Sequence, residues 1–300
     1  MDDKKILDGM IPNCDNYKLR DINCFYKPMG IIHRYFKDDY NNLFLCLMSA
    51  YCIFVQDDPF EYYDRFYNQT FSQLFNLKIE GKKIENKEAF INELYEAIDN
   101  DNPVLVEVDQ FYIYYSENYL SKHVYHYIPI SGYDRKKDLY YCLDILHDDN
   151  KAMAIYKNDV ITSDLLWNAF TKNKFYVYQK IGPMREYQEI KNDYLKMYQS
   201  YFQKKQLTID TFRDKDKFEF QNTRVVYYSE LINLLEKVNQ DSDLRDKFNL
   251  EKNELMKQWE KTKLLSIYKS NKENEQYNFI DSFSEAENRF HKKFFNIIMV

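Results

Sequence analysis

Apolar residues recur at helical spacing near the start of the chain and at strand spacing in its middle. From Asn23 to Phe36, Met29, Ile32 and Phe36 fall on one side, which predicts a helix with Asn23 as its cap and Pro28 in the first turn. Asn42–Phe54 is apolar nearly all round and predicts a central helix. The aromatic-rich segment Pro59–Leu77 reads as helical too. Lys87–Ile98 is amphipathic, with Phe90, Leu94 and Ile98 on one face.

The pattern changes at Asn100-Asp101-Asn102-Pro103, which stops the helix. Strands are predicted at Val104–Val108, His126–Gly132, Leu139–Ile145, Ala152–Tyr156 and Phe175–Ile181. Asp134–Asp138 is the turn of a hairpin, and Ser163–Phe170 a short helix capped by Ser163. After Gly182-Pro183 the pattern is helical: Glu186–Lys204, Val225–Asn239, Leu244–Tyr268 with Ser242 or Asp243 as its cap, and Asp281 onward. Helices, then an antiparallel sheet, then helices again indicate an α+β fold, divided into residues 1–183 and a helical region 184–300.

The chain has 300 residues and enough apolar character for a sizeable core. With 5 Gly and 6 Pro it carries neither GxGxxG nor GxxxxGK[ST], which excludes the usual phosphate loops. The net charge of −6 disfavours nucleic acid. The charge is uneven: residues 184–300 sum to +1 and residues 1–183 to −7. No apolar run reaches the length of a membrane span and the start is not a signal peptide, so no membrane partner and a cytoplasmic location are expected. The five cysteines, Cys14, Cys24, Cys46, Cys52 and Cys142, lack CxxC spacing, so neither a disulfide framework nor a metal site is expected.

Cys24 lies where a helix begins. Free N–H groups and the positive end of the helix dipole stabilise a thiolate there, although a core cysteine is the commoner situation. His126 heads a strand, which aims its ring rigidly; His123 is its nearest competitor. Asp144 ends the partner strand, so the hairpin brings it to the same end as His126. A carboxylate there can fix the imidazole tautomer and stabilise imidazolium. Asp109, at the end of another strand, is a site-lining carboxylate able to bind an amine, or a turn residue. Tyr112, Tyr114, Tyr115 and Tyr119 are lining aromatics or core.

The stretch Pro103–Asp144 resembles the N-terminal domain of butirosin biosynthesis protein H and its relatives. More broadly, the order Cys…His…Asp with HYIPISGYD resembles the papain-like core of bacteriocin-processing cysteine peptidases. The resemblance covers roughly residues 10–183 and implies a papain-like core followed by the helical part. It implies Cys24 as nucleophile, His126 as general base and acid, and Asp144 as orienting carboxylate, with Asp109, Tyr112 and Asn23 binding substrate. The implied activity is acyl transfer from a carrier-protein thioester to a small amine, forming an amide in natural-product biosynthesis. It needs no cofactor beyond the phosphopantetheine of an acyl or peptidyl carrier protein. A cysteine peptidase or amidase, or an inactive binding protein of the same fold, is the alternative. One departure is the absence of a Gln shortly before Cys24. The oxyanion donors are then the Cys24 backbone N–H with Asn16, Lys18 or Asn23.

Overall fold

A computed structural model describes residues 3–12, 17–18, 21–55, 72–146, 155–203, 207–214, 218, 221–238, 241–269 and 278–298. The fold is α+β, as the sequence pattern predicts. The chain forms two compact units: Met1–Phe44 with Tyr62–Tyr194, and Leu45–Glu61 with Leu195–Val300. Gly182-Pro183 therefore lies inside the first unit, and a short early segment belongs to the second. Among the described residues, no helix is long and apolar enough to cross a membrane.

The first unit holds helix α1 (Tyr26–Phe36) and the start of α2 (Tyr40–Ala50). Pro28 sits in the first turn of α1, where its missing N–H costs no helical bond. Only the end of the aromatic-rich segment is described, as a short helix α3 (Ser72–Phe75); the rest of it, residues 59–71, lies outside the described residues. Helix α4 (Lys87–Asp99) begins at Asn86, whose side chain accepts the Ala89 N–H at 2.9 Å. Its apolar face places Phe90 against Trp167, Phe170 and Phe175.

Seven described strands form one sheet: β1 (Lys4–Ile6), β2 (Leu77–Gly81), β3 (Val104–Asp109), β4 (Tyr125–Asp134), β5 (Leu139–Leu146), β6 (Ile155–Thr162) and β7 (Phe170–Lys180). Their order is β2-β7-β3-β4-β5-β6, with β1 beside β4, and every pairing is antiparallel. All six residues of β3 are buried, as its continuous β-branched run predicts. The expected strand at Ala152 begins at Ile155 in the described residues and continues to Thr162, while Phe175–Ile181 extends back to Phe170. Helix α5 (Ser163–Ala169) is capped by Thr162 rather than Ser163, whose hydroxyl instead donates to Asp138 at 2.9 Å. The short strands β1 and β2 have no counterpart among the predicted elements.

β4 changes partners along its length. Val104–Asp109 pairs with its first half, and Lys4–Ile6 with Gly132–Asp134. Gly132 permits that close approach: a Cβ there would lie 2.6 Å from the Lys5 carbonyl oxygen and 2.9 Å from Ile6 Cα.

The second unit takes in the π-helical turn Tyr51–Val55, α7 (Ile209–Arg213), α8 (Arg224–Val238), α9 (Ser242–Lys269), α10 (Asn278–Ile298) and the end of α6 (Tyr187–Phe202). The cap of α9 is Asp241, which accepts from the Asp243 and Leu244 N–H groups, in place of Ser242 or Asp243. Its core contains a buried ion pair, Arg224–Glu287 at 3.0 Å, with the guanidinium 4.5 Å from the centre of the Trp259 ring.

Gly132→Ala forces the β1 backbone away from β4. It is expected to lower stability by about 1–3 kcal/mol, the usual cost of overpacking, as measured by urea unfolding; an unchanged midpoint would show that β1 yields freely.

Candidate active site

Asn23 organises the start of α1. Its Oδ1 accepts from the Phe25 N–H at 3.1 Å and the Tyr26 N–H at 2.9 Å, and its carbonyl accepts from Lys27. The two side-chain bonds satisfy two of the orphan donors of the helix end and leave Nδ2 as the donating end of the amide. Cys24 follows, half-buried, and Phe25 anchors the segment against Tyr127 with ring centroids 4.7 Å apart. The nucleophile candidate thus lies between two anchored residues.

His126 and Asp144 come together as the hairpin predicts, with Nε2 2.6 Å from Oδ1 and both residues almost fully buried. The strand-end argument omitted one requirement. Near the turn, Gly132 pairs with Tyr141, but farther along Ile130 pairs with Cys142. Three residues of β4 therefore span two of β5, which is a β-bulge centred on Ser131. Side chains alternate faces along a strand. Without the extra residue, His126 and Asp144 would point to opposite faces; with it, His126, Ile128 and Ile130 share a face with Cys142 and Asp144.

Nε2 faces the carboxylate, which leaves Nδ1 as the free ring nitrogen, and Cys24 is near enough to favour the charged ring. Burial works against a charged imidazole here. The Asp144 charge and hydrogen bond, reinforced by Cys24, outweigh it and push His126 up to about 10. The imidazolium is accordingly the favoured form across the neutral range.

Asp109 follows Val108, which pairs with His126, and its carboxylate bonds the loop between β3 and β4. It accepts from the Phe111 and Val124 N–H groups and pairs with His123 at 2.6 Å, so its carboxylate clasps the two ends of the loop between β3 and β4. Burial disfavours the charged form, but these donors outweigh it and hold the carboxyl below its ordinary range. His123 is largely exposed and serves this clasp. Tyr112 is exposed on the 3-10 turn Gln110–Tyr112, edge-on to Phe111. Lys18 lies in a turn before α1, and its carbonyl accepts from the Asp21 and Ile22 N–H groups. Cys14 and Asn16 lie outside the described residues.

Two further residues lie on the elements around the trio of Cys24, His126 and Asp144; Tyr115 was read from sequence as a lining aromatic or core, and Glu107 was not singled out. The Tyr115 hydroxyl lies 3.6 Å from the Cys142 sulfur. Glu107, buried on β3, accepts from Tyr127 at 2.7 Å and Thr171 at 2.6 Å. Periodicity marks Tyr115 and Glu107 only as one more tyrosine and one polar residue in an apolar strand. Cys46, Cys52 and Cys142 are buried, and burial with the neighbouring Asp144 pushes the Cys142 thiol up, away from nucleophilic use.

The family model described as butirosin biosynthesis protein H, N-terminal, matches residues 51–145. The match supports the family read from Pro103–Asp144; it includes His126 and Asp144 and ends short of Cys24. No curated protein matches the chain.

The raised His126 carries a consequence for stability. The native state binds that proton more tightly than the unfolded chain, whose imidazole titrates near 6.5. The associated stabilisation is complete below that value and fades as pH rises through about 10. Thermal unfolding of wild type and His126→Ala should therefore show a gap that narrows from pH 6 to pH 10; a constant gap would contradict a charged His126.

Proposed function

We propose that the chain is a papain-like cysteine acyltransferase. In this reading it takes an acyl group from a carrier-protein thioester and passes it to a small amine, making an amide in a natural-product pathway. The observation that supports it is the buried His126 ring, bonded to Asp144 at 2.6 Å, with Cys24 among the groups that favour its charged form. The family match to a natural-product biosynthesis protein agrees with it.

The chemistry follows from that arrangement. The Cys24 thiolate attacks the thioester carbonyl, forming a carbon–sulfur bond and a tetrahedral oxyanion. The Cys24 backbone N–H and the Nδ2 of Asn23 are the donors for that charge. Collapse expels the pantetheine thiolate, and the His126 imidazolium protonates it. The neutral imidazole then takes a proton from the incoming amine as its nitrogen attacks the acyl-enzyme. Expulsion of Cys24 as thiolate completes the amide and restores the ion pair. Asp144 keeps Nε2 engaged throughout, so the same Nδ1 gives and takes the proton. Tyr112 and Asn23 face the substrate, and Asp109 holds the loop that presents Tyr112. Thioester exchange is nearly isoenergetic and amide formation is downhill, so the donor brings its own activation. The carrier protein, the amine and a cytoplasmic setting belong to the same reading.

Incubation with an acyl-carrier thioester, without acceptor, is expected to add the acyl mass to Cys24, and amine should discharge it faster than water does. Cys24→Ala should abolish labelling with the fold intact, and Asp144→Asn should slow turnover by roughly 10³-fold or more. Brisk peptide cleavage with no reaction toward thioesters would replace this reading with the peptidase one.

A further inference from the structure

β3 is buried along its whole length, and Glu107 interrupts an otherwise apolar run of Val104, Leu105, Val106 and Val108. Burying a carboxyl group costs free energy unless hydrogen bonds replace the lost water. Here both oxygens are met. Tyr127, directly across on β4, donates to Oε1 at 2.7 Å, and Thr171 on β7 donates to Oε2 at 2.6 Å. The Thr171 hydroxyl comes from an irregular stretch of β7. Between the Val106↔Phe175 and Val108↔Phe170 pairs, β3 has Glu107 alone while β7 has Thr171–Lys174. Lys172 turns that stretch in the left-handed region, at φ 63°. One carboxyl group therefore ties three strands together beside the Val108↔His126 pair.

The Tyr127 ring carries this anchorage to the nucleophile. Phe25 is buried next to Cys24 and packs on Tyr127, with ring centroids 4.7 Å apart. Tyr127 also follows His126 in β4, so one ring lies between the start of α1 and the strand that holds the base. We infer that Glu107 is a positioning residue: it holds the Tyr127 hydroxyl and so fixes the ring on which the Cys24 segment is seated relative to His126. Its role is exercised through Tyr127 and Phe25, not on the reacting atoms. The inference rests on the acyltransferase reading of Cys24, His126 and Asp144, and adds what sets the spacing of nucleophile and base. A fully bonded buried network rigidifies what it joins, which packing of two rings alone does not achieve.

This role needs bonding groups in place rather than a charge. Glu107→Gln keeps the shape; its oxygen accepts from Tyr127 and its amide donates to Thr171, whose hydroxyl can also accept. Glu107→Leu fills similar space and offers neither bond. Two readouts are compared at neutral pH. One is kcat and KM with an acyl-carrier thioester and amine. The other is the substrate-free rate of iodoacetamide alkylation at Cys24, read by peptide mass. Glu107→Leu should lower kcat about 10²-fold at unchanged KM, the scale of a small misplacement of reacting groups. It should slow alkylation about ten-fold as the thiolate loses its place beside His126. Glu107→Gln should stay close to wild type in both. Tyr127→Phe keeps the ring and leaves Glu107 one donor short; it should lower kcat about ten-fold and serves where Glu107→Leu does not fold. Val106→Ala, on the opposite face of β3, should lower the urea midpoint while keeping kcat.

Normal rates in Glu107→Leu or Tyr127→Phe beside an active wild type overturn the role of Glu107 alone. An equal loss in Val106→Ala does the same, because the effect is then one of general stability. Glu107→Gln as impaired as Glu107→Leu also does so, because charge rather than bonding is then the cause. If wild-type Cys24 alkylates rapidly but the enzyme ignores thioesters, the acyltransferase reading falls and the alkylation rates still decide the role of Glu107. A wild-type Cys24 that alkylates no faster than a free thiol overturns both.

Discussion

One extra residue in β4 sets the chemistry of the first unit. Strand side chains alternate with period two, so a shift of one residue exchanges the faces of everything beyond it. Ser131 supplies that shift between the Gly132↔Tyr141 and Ile130↔Cys142 pairs. On the turn side, β4 and β5 meet in the register that the Asp134–Asp138 turn dictates. Past Ser131, His126 and Asp144 share a face. Gly132, next to the bulge, lets β1 cover the edge that β3 leaves open. The same short run thus reverses a face, admits a strand and aims a histidine.

Burial decides what the resulting pair is worth. Two charges leaving water lose several kcal/mol each, and their attraction returns this only when geometry and further hydrogen bonds are good. Asp144 meets the first condition with His126 at 2.6 Å. The second unit meets the same condition without a nucleophile. There Arg224 and Glu287 pair in the helical core, Tyr228 donates to Glu287 at 2.6 Å, and Gln221 accepts from Arg224. A buried ionic network is therefore not evidence of catalysis by itself. The difference at His126 is a half-buried thiol at a helix start.

Much of this was legible in the chain, for identifiable reasons. Helix α4 and the long C-terminal helices follow from apolar spacing, and β3 from an unbroken β-branched run. The order Cys24, His126, Asp144 with the hairpin between the last two brought those side chains together. The short strands β1 and β2 escaped because Lys4–Ile6 and Leu77–Gly81 carry too few apolar positions to set a period. The start of β7 is hidden by the polar run Thr171–Lys174. The bulge left only Ser131-Gly132, a weak break in an apolar run. Tyr115 was read with Tyr112, Tyr114 and Tyr119 as lining or core, and its place beside the Cys142 sulfur, a relation across 27 residues of chain, is encoded by no local pattern.

The histidines of the first unit show why residue type and pairing distance do not suffice to assign a role. His123–Asp109 and His126–Asp144 have the same 2.6 Å separation. The His123 ring is 63% exposed, so water screens its pair and the bond serves chiefly to close a loop. The His126 ring is 4% exposed, and the same contact governs the charge on the ring. His33, on α1, is equally buried, and its bond is to a neutral backbone carbonyl. It stacks on Phe44 and bonds the Met29 carbonyl, and burial holds it down to about 4, neutral and structural. Burial with an anion yields a charged imidazole, burial against a neutral carbonyl a neutral ring, and exposure with an anion a tether. Of the three, only the first can both stabilise a thiolate and return a proton to a leaving group, and it is the one whose charge Cys24 reinforces.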